Sequence, residues 1–199
     1  TVPLGDLSRT DDINPVHYWS LESVASNQQR NIFEGSQEEA LAELERLLIE
    51  TIRGQSIADV PLGAFLSGGI DSSLVVALMQ VNSSKPIKTF TVGFEEEGYN
   101  EASYAMAVAS HLETDHTELY VTPKECRAVI PRLPELYDEP FADSSQIPTS
   151  LISKLASSQV TVALSGDGGD EIFGGYNRYI WTRNIWNKLK WLPNIMKSF

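Results

Sequence analysis

Two short segments that combine serine, glycine and aspartate carry the residue types from which a site for phosphate groups and cations can be built. The first, SGGIDSS, covers residues 67–73, and the second, SGDGGDE, covers residues 165–171. Glycine lets the backbone approach a ligand closely, serine hydroxyls donate hydrogen bonds, and aspartate carboxylates bind cations. Because the residues around the two segments are dissimilar, a repeat does not explain them, and we expect them to form two walls of one site.

The first glycine-rich segment is typical of a pyrophosphate cradle. It follows a predicted strand and runs directly into a predicted helix, whose first amides and positive dipole end attract anions. Asp71 would repel a bound phosphate group unless a divalent cation lay between them, and Mg²⁺ is bound in this way by one or two carboxylates and phosphate oxygens. A plain glycine turn in which Asp71 caps the helix is the alternative. The predicted cradle comprises Ser67, Gly68, Gly69, Asp71, Ser72 and Ser73.

The second glycine-rich segment places three carboxylates, those of Asp167, Asp170 and Glu171, within five residues. Their mutual repulsion favours a bound cation or a positively charged substrate group. Asp170, arriving opposite Asp71, would complete the Mg²⁺ site, and Asp167 could meet an ammonium group or act as a base. The alternative is a loop in which Asp170 and Glu171 only stabilise the positive end of the next helix.

Other nucleotide and hydrolase motifs do not fit these segments. The first segment has no G-K-[ST], which excludes a Walker A loop, and it is not the G-x-S-x-G of a serine hydrolase. A third segment, YDEPFADSSQIPTS at residues 137–150, is less specific. There we expect an exposed turn at Asp138 and Glu139 and a helix cap supplied by Asp143 or Ser144.

Alternating strands and helices must position the two glycine-rich segments. Periodicity and punctuation predict strands at residues 62–66, 87–94, 116–122 and 160–166. Helices are predicted at 36–55, 71–80, 100–112, 123–137 (interrupted by Pro131 and Pro134), 146–158 and 170–192. Strands joined through helices form right-handed crossovers in a parallel sheet. We therefore predict an α/β fold, a doubly wound parallel sheet with helices on both faces, whose 3-2-1-4 strand order places both segments at neighbouring strand ends.

Composition narrows the classes of function. The chain has 199 residues, 42% of them hydrophobic, and a net charge of −12, which fits a globular domain and argues against nucleic acid partners that require clustered Lys and Arg. The single cysteine, Cys126, excludes an internal disulfide framework and favours a reduced, cytoplasmic compartment. No apolar run reaches the roughly 18 residues that span a bilayer. The three histidines, His17, His111 and His116, lie far apart and form no metal-ligand motif.

Taken together, the segments resemble a known family. SGGIDSS is similar to the pyrophosphate-binding loop (PP-loop) of the N-type ATP pyrophosphatases, whose fold is adenine nucleotide alpha hydrolase-like. With DEPFADSSQIPT at 138–149 and LSGDGGDEIFGGYNRY at 164–179, the resemblance narrows to the synthetase domain of glutamine-dependent asparagine synthetases, and it covers roughly residues 36–185. β-Lactam synthetases and other amide ligases share much of this pattern.

The resemblance implies an AMP-forming carbon–nitrogen ligase. Its substrates would be ATP, aspartate and ammonia. The aspartate side-chain carboxylate attacks the α-phosphorus of MgATP, and ammonia then displaces AMP to give the amide. By motif position, residues 67–73 would hold pyrophosphate, and Asp71 and Asp170 would bind Mg²⁺.

The resemblance also implies contacts to the rest of the nucleotide. Phe65 and Val92, at predicted strand ends, would meet the adenosine through backbone groups. Ser165 and Gly166 would line the nucleotide and the adenylate, and Asp167 would lie where ammonia arrives. Asp167 stands where many members of the family have glutamate, so its reach is one methylene shorter.

We expect residues 1–35 to be an irregular linker remnant and residues 36–199 to be an ATP-binding synthetase domain without its C-terminal part. In the family, that C-terminal part holds a lysine that is used near the adenylate. The family's N-terminal glutaminase domain, whose nucleophile is an N-terminal cysteine, would supply ammonia in the longer protein; residue 1 here is Thr. We expect no nucleic acid or membrane partner, and a homodimer is compatible with the sequence. Three alternatives stay open: an amide ligase for another carboxylate, such as a sugar acid or a β-lactam precursor, an RNA-modifying enzyme with the same loop, and an inert nucleotide-binding fragment.

Overall fold

The computed structural model describes residues 17–28, 32–94, 101–140 and 142–191. The chain divides into two units, residues 1–45 and residues 46–199. Every residue of the predicted site falls in the second unit.

The first unit contains a helix that the sequence analysis did not predict. Residues 1–35 are expected to be irregular, but α1 (Leu21–Gln28) is helical. The N–H of Ser23 donates to the side chain of Ser20 at 3.3 Å, so Ser20 supplies the cap of this helix. The boundary predicted at residue 36 stays a prediction.

α2 (Gln37–Gln55) begins in the first unit and ends in the second. It starts at a capping box: the N–H of Ser36 donates to Glu39 Oε2 at 2.7 Å, and the N–H of Glu39 donates to Ser36 Oγ at 3.2 Å. These two bonds satisfy backbone donors that would otherwise lack partners at the start of the helix. Within the second unit, Ile52 belongs to the buried core.

In the described part of the second unit, four parallel strands form the sheet. They are β1 (Leu62–Phe65), β2 (Lys88–Phe94), β3 (Asp115–Val121) and β4 (Val162–Leu164). Their order is β3-β2-β1-β4, which confirms the predicted 3-2-1-4 order. The register pairs Ala64 of β1 with Leu164 of β4, so these two strands end side by side.

Helices connect the strands, and two more follow the last strand. They are α3 (Ile70–Val81), α4 (Ala102–Leu112), α5 (Pro123–Val129), α6 (Leu133–Leu136), α7 (Gln146–Ala156), α8 (Gly169–Phe173) and α9 (Asn177–Leu189). A short 3₁₀ turn at Ile130–Arg132 separates α5 from α6, as the two prolines predicted. None of the helices in the described part of the chain is both long and apolar enough to cross a membrane.

The prediction of a single helix-like stretch at 170–192 is wrong in one respect, because the structure has two helices there. Gly174 has a φ of +70° in the left-handed region, which ends α8, and Gly175 follows before α9 begins. Glycine occupies this conformation at little cost, whereas other residues are strained there. Residues beyond Trp191 lie outside the described residues.

Buried side chains lie on both faces of the sheet. One cluster joins β1 to α3 and α4 through Ala64, Leu66, Val76 and Ala105, all at most 1% exposed. The other cluster consists of Phe90 of β2, Ala156 of α7 and Val160, which lies two residues before β4. Because neighbouring residues of a strand point to opposite faces, Ala64 and the half-buried Phe65 serve different clusters. Helices on both faces confirm the doubly wound class.

Candidate functional site

The two glycine-rich segments lie against each other at the carboxyl ends of β1 and β4. A Cβ atom at Gly166 would come within 2.7 Å of Ser72 N and 3.0 Å of Asp71 C, so the second segment touches the backbone of the first. A Cβ at Gly169 would lie 2.6 Å from Asp71 Oδ2. Glycine at both positions therefore allows an approach that any side chain would prevent.

Serine hydroxyls hold the first glycine-rich segment in shape. The side-chain oxygens of Ser67 and Ser72 are 2.9 Å apart, and the N–H of Ser67 donates to Ser72 Oγ at 3.2 Å. The N–H of Gly69 in turn donates to Ser67 Oγ at 3.2 Å. Gly68 has a φ of +81°, and a Cβ there would meet Ala105 N of α4 at 2.6 Å. The loop is thus fixed by its own hydroxyls and by close packing on α4.

Two features of this segment favour a ligand site over a plain turn. Asp71 does not cap α3, because the N-cap position is Gly69 and no side chain caps it. The alternative of Asp71 as a helix cap is therefore wrong, and its carboxylate lies in the first turn of α3 beside Gly169. In addition, Ser73 Oγ is buried and has no hydrogen-bond partner in the described part of the chain. A buried hydroxyl of this kind is stabilised by an additional hydrogen-bonding group.

The second glycine-rich segment presents an exposed carboxylate. Ser165 Oγ donates to Asp167 Oδ2 at 3.1 Å and accepts the N–H of Asp167 at 3.3 Å. Asp167 is exposed, and Gly168, with a φ of +91°, turns the chain into α8. Ser165 therefore orients the carboxylate of Asp167 from within the same loop.

Asp170 lies in the first turn of α8, where the helix dipole favours a negative charge. A Cβ at Gly175 would collide with Asp170 Oδ1, so the side chain of Asp170 lies against the turn that follows α8. In the described residues, no group of three or more His, Cys, Asp or Glu side chains is placed to hold a metal ion. Mg²⁺ usually takes only one or two protein carboxylates, with water and phosphate oxygens completing its shell, so a site with two aspartates would contain fewer ligands than such a group.

Phe65 and Val92 lie at the same edge of the sheet. Phe65 is the last residue of β1 and pairs with Phe90 of β2. β2 continues to Phe94 beside β3, which places Val92 two residues beyond the last residue that pairs with β1. Phe65 therefore lies two residues before the first glycine-rich segment, and Val92 lies toward the carboxyl end of the neighbouring strand.

The segment at residues 137–150 has a local structural role where it is described. Asp143 Oδ1 accepts the N–H of Ser145 at 2.8 Å, and this backbone hydrogen bond holds the pKa of Asp143 below its ordinary value. The N-cap position of α7 is Ser145, so Ser144 is not the cap, and Asp143 stabilises the turn just before the helix. Phe141 lies outside the described residues.

A cluster of three side chains beside the site was missed in the sequence analysis. Tyr176 Oη donates to Glu171 Oε1 at 2.7 Å, and the guanidinium carbon of Arg178 lies 4.0 Å from the centroid of the Tyr176 ring. The hydrogen bond from Tyr176 is the main reason why the pKa of Glu171 lies below its ordinary value, and the charge of Arg178 adds a smaller effect. The same hydrogen bond raises the pKa of Tyr176. The glycine pair between α8 and α9 was the only sequence signal of a turn that brings these residues together.

Tyr176→Phe is expected to raise the pKa of Glu171 toward its ordinary value, because the substitution removes the hydroxyl that stabilises the carboxylate. Carboxyl-carbon NMR over a pH titration measures this change. Tyr179→Phe is the matched control, since the Tyr179 ring lies 5.8 Å from that of Tyr176 and its substitution leaves the Tyr176 hydroxyl in place. An unchanged Glu171 pKa in Tyr176→Phe would contradict the hydrogen bond.

The parallel sheet with helices on both faces, and the serine- and glycine-rich loop between β1 and α3, define a doubly wound α/β domain with a candidate anion-binding loop. The sequence also matches the family model for asparagine synthase over residues 43–198. The chain therefore belongs to the asparagine synthase family.

Curated relatives agree with this assignment. The chain is 37% identical over 170 residues, or 85% of its length, to a putative glutamine-hydrolysing asparagine synthetase 2 of Methanocaldococcus jannaschii. It is 38% identical over 72% of its length to the glutamine-hydrolysing asparagine synthetase 1 of Bacillus subtilis. The matched regions make up 32% and 22% of those two proteins, so the chain spans a third or less of their length.

A solved structure is also similar in outline. The NH3-dependent NAD synthetase of Campylobacter jejuni has a TM-score of 0.48 and 14% sequence identity. The similarity covers 68% of this chain and 60% of that one.

Proposed function

We propose that this chain is the ATP-binding part of a glutamine-dependent asparagine synthetase. Its site would activate the side-chain carboxylate of aspartate by forming an acyl-adenylate and pyrophosphate, and ammonia would then displace AMP to give the amide. The observation that carries the proposal is the contact of the second glycine-rich segment with the backbone of Asp71 and Ser72. Family membership and the names of the relatives support the same reaction.

In this proposal, the first glycine-rich segment holds the β- and γ-phosphates that leave as pyrophosphate. The amides at the start of α3 attract the anion. Ser73 Oγ, which is buried and has no hydrogen-bond partner among the described residues, offers one further donor. Asp71 and Asp170 would bind Mg²⁺, which neutralises phosphate charge when it is bound. Without a cation these carboxylates would repel the nucleotide, so binding of ATP should depend on Mg²⁺.

The remaining site residues would position the reacting groups. Phe65 and Val92 would contact the adenosine through their backbone, and Ser165 and Gly166 would line the nucleotide at the end of β4. Asp167 would accept hydrogen bonds from incoming ammonia or take a proton from it, and its bond from Ser165 supports a fixed orientation. Holding the carboxylate and the α-phosphorus in line accounts for much of the acceleration in a reaction of this kind.

The proposal includes ammonia supplied by a glutaminase domain of the longer protein, because both relatives are named glutamine-hydrolysing. It also includes a cytoplasmic location, which a lone, half-buried Cys126 supports. Aspartate is the proposed acceptor. AMP release from the longer protein with aspartate, compared with sugar acids, tests that choice directly.

Calorimetric titration of the chain with ATP tests the nucleotide site. We expect ATP to bind in the presence of Mg²⁺ and to lose most of its affinity in EDTA. Asp71→Asn removes a cation-binding carboxylate, so we expect it to bind MgATP about 10- to 100-fold more weakly, which corresponds to about 1.4–2.8 kcal/mol of binding free energy. Asp59→Asn is the matched control, since Asp59 is exposed before β1 and outside both segments. Equal affinities of Asp71→Asn and the unmodified chain would refute the role of Asp71.

A further inference from the structure

A buried threonine of β2, Thr91, is bonded to the start of the first glycine-rich segment from the neighbouring strand. Thr91 is 2% exposed, and its hydroxyl donates a hydrogen bond to the carbonyl oxygen of Leu66. Leu66 is 1% exposed, follows β1 and directly precedes Ser67, the first residue of the segment. The bond therefore joins β2 to the point at which the segment begins.

The backbone of β2 supports the same point. The N–H of Leu66 donates to the carbonyl oxygen of Phe90 at 2.9 Å, which extends the pairing of β1 with β2 by one bond beyond Phe65. The bond to the carbonyl oxygen of Leu66 comes from the side chain of Thr91. Because a buried carbonyl group that lacks a donor costs free energy, the hydroxyl of Thr91 stabilises this conformation of Leu66.

The peptide unit between Leu66 and Ser67 is held at both of its polar groups. Its carbonyl oxygen accepts the hydroxyl of Thr91, and its N–H, that of Ser67, donates to Ser72 Oγ at 3.2 Å. Since a peptide unit is planar, these two bonds fix its orientation. Ser72 Oγ lies 2.9 Å from Ser67 Oγ, which accepts the N–H of Gly69 at 3.2 Å. A continuous series of hydrogen bonds thus runs from β2 to the glycines of the segment.

We propose that Thr91 is a positioning residue for the proposed nucleotide site. It acts through the backbone: by fixing the peptide unit between Leu66 and Ser67, it keeps the amides of the first glycine-rich segment in one arrangement that can receive phosphate groups. Donors that are already in place bind an anion more tightly, because less conformational freedom is lost on binding. This role rests on the proposed function of the segment.

Thr89 provides a matched control on the same strand. It lies two residues before Thr91, on the same face of β2, and is 0% exposed. Its hydroxyl lies 2.9 Å from Thr114 Oγ1 and 2.8 Å from His116 Nδ1, so it is bonded toward β3. Substitution by valine removes a buried hydroxyl at either position, but only the substitution of Thr91 removes a bond to Leu66 at the start of the glycine-rich segment.

Calorimetric titration with MgATP, well below the melting temperature of each variant, tests the effect on the site. We expect about 10-fold weaker binding in Thr91→Val, the size of effect that loss of one buried hydrogen bond produces. Thr91→Ser keeps the hydroxyl and should restore most of the affinity, and Thr89→Val should bind MgATP as the unmodified chain does. Equal affinities of Thr91→Val and the unmodified chain, or equal losses in Thr91→Val and Thr89→Val, would overturn the proposal. So would a loss in Thr91→Ser as large as that in Thr91→Val.

Hydrogen exchange of the Ser67 amide, followed by NMR without nucleotide, tests the role of Thr91 separately from the proposed function. We expect about 10-fold faster exchange in Thr91→Val than in the unmodified chain, because the N–H loses its fixed direction toward Ser72 Oγ. Thr91→Ser and Thr89→Val should exchange as the unmodified chain does. Unchanged exchange in Thr91→Val would overturn the proposal. Faster exchange in Thr91→Val, together with no MgATP binding by the unmodified chain, would refute the proposed function and support the action of Thr91 on the segment.

Discussion

Gly166→Ala is expected to weaken MgATP binding by about 10- to 100-fold. The added Cβ would lie 2.7 Å from Ser72 N and 3.0 Å from Asp71 C, and both are backbone atoms that cannot rotate away. The two glycine-rich segments must therefore move apart. Overpacking of this kind costs about 1–3 kcal/mol. Because the proposed nucleotide lies between the segments, we expect much of that cost to appear as lost affinity in calorimetric titration.

Two further glycine substitutions separate loss of the site from loss of the fold. Gly54→Ala is the matched control, since nothing lies within 4 Å of a Cβ there, and it should bind MgATP normally. Gly169→Ala adds a Cβ 2.6 Å from Asp71 Oδ2, at a helical position where alanine is favourable. It should displace the Asp71 carboxylate, weaken binding and leave the melting temperature unchanged. Normal affinity in both Gly166→Ala and Gly169→Ala would mean that ATP does not bind between the segments.

Phe90→Ala is expected to lower the free energy of unfolding by about 3–5 kcal/mol, the range for removal of a large aromatic side chain from a core. Phe90 is 0% exposed and lies in the core cluster with Ala156 and Val160. A Cβ at Gly63 would also come within 2.8 Å of the Phe90 ring, so the ring fills the space above β1. Urea unfolding followed by circular dichroism measures the change.

The matched control for Phe90→Ala is Phe173→Ala. Phe173 lies in α8 and is 52% exposed, so its removal should change the free energy of unfolding by less than about 1 kcal/mol. Similar effects of the two substitutions would contradict the assignment of Phe90 to the core. A large loss in Phe90→Ala should also weaken MgATP binding near the unfolding midpoint, because β2 pairs with β1.

The strands and most helices could be predicted because their signals are local. Short apolar runs that end in Ser-Gly identify β1 and β4, and the prolines at 131 and 134 predict the break between α5 and α6. The unpredicted α1 has only a weak local signal, since its residues are polar and Ser20 is its one cap. The break between α8 and α9 had a visible signal in its two glycines, and the aromatic content of that stretch outweighed it in the prediction.

Contacts between distant residues were beyond the sequence. The bond from Tyr176 to Glu171 depends on the angle at which Gly174 turns the chain, and no periodicity determines that angle. The hydrogen bond between the side chains of His116 and Thr89, 2.8 Å long, depends on the register of β2 with β3, in which Thr89 pairs with His116. A shift of that register by one residue would turn the Thr89 hydroxyl to the other face of the sheet.

The sequence by itself determined the chemical groups of the candidate site and the strand ends that carry them, because hydrophobic periodicity, glycine turns and helix caps act over a few residues. The sequence also determined the family, because the motifs that identify it are defined by residue types and spacing alone. Only the tertiary structure decided that Gly166 meets the backbone of Ser72, and that His116 Nε2 and Glu118 Oε1 lie 3.5 Å apart. Those contacts join residues of different elements, and their distances follow from how the helices pack on the sheet, which no local pattern encodes.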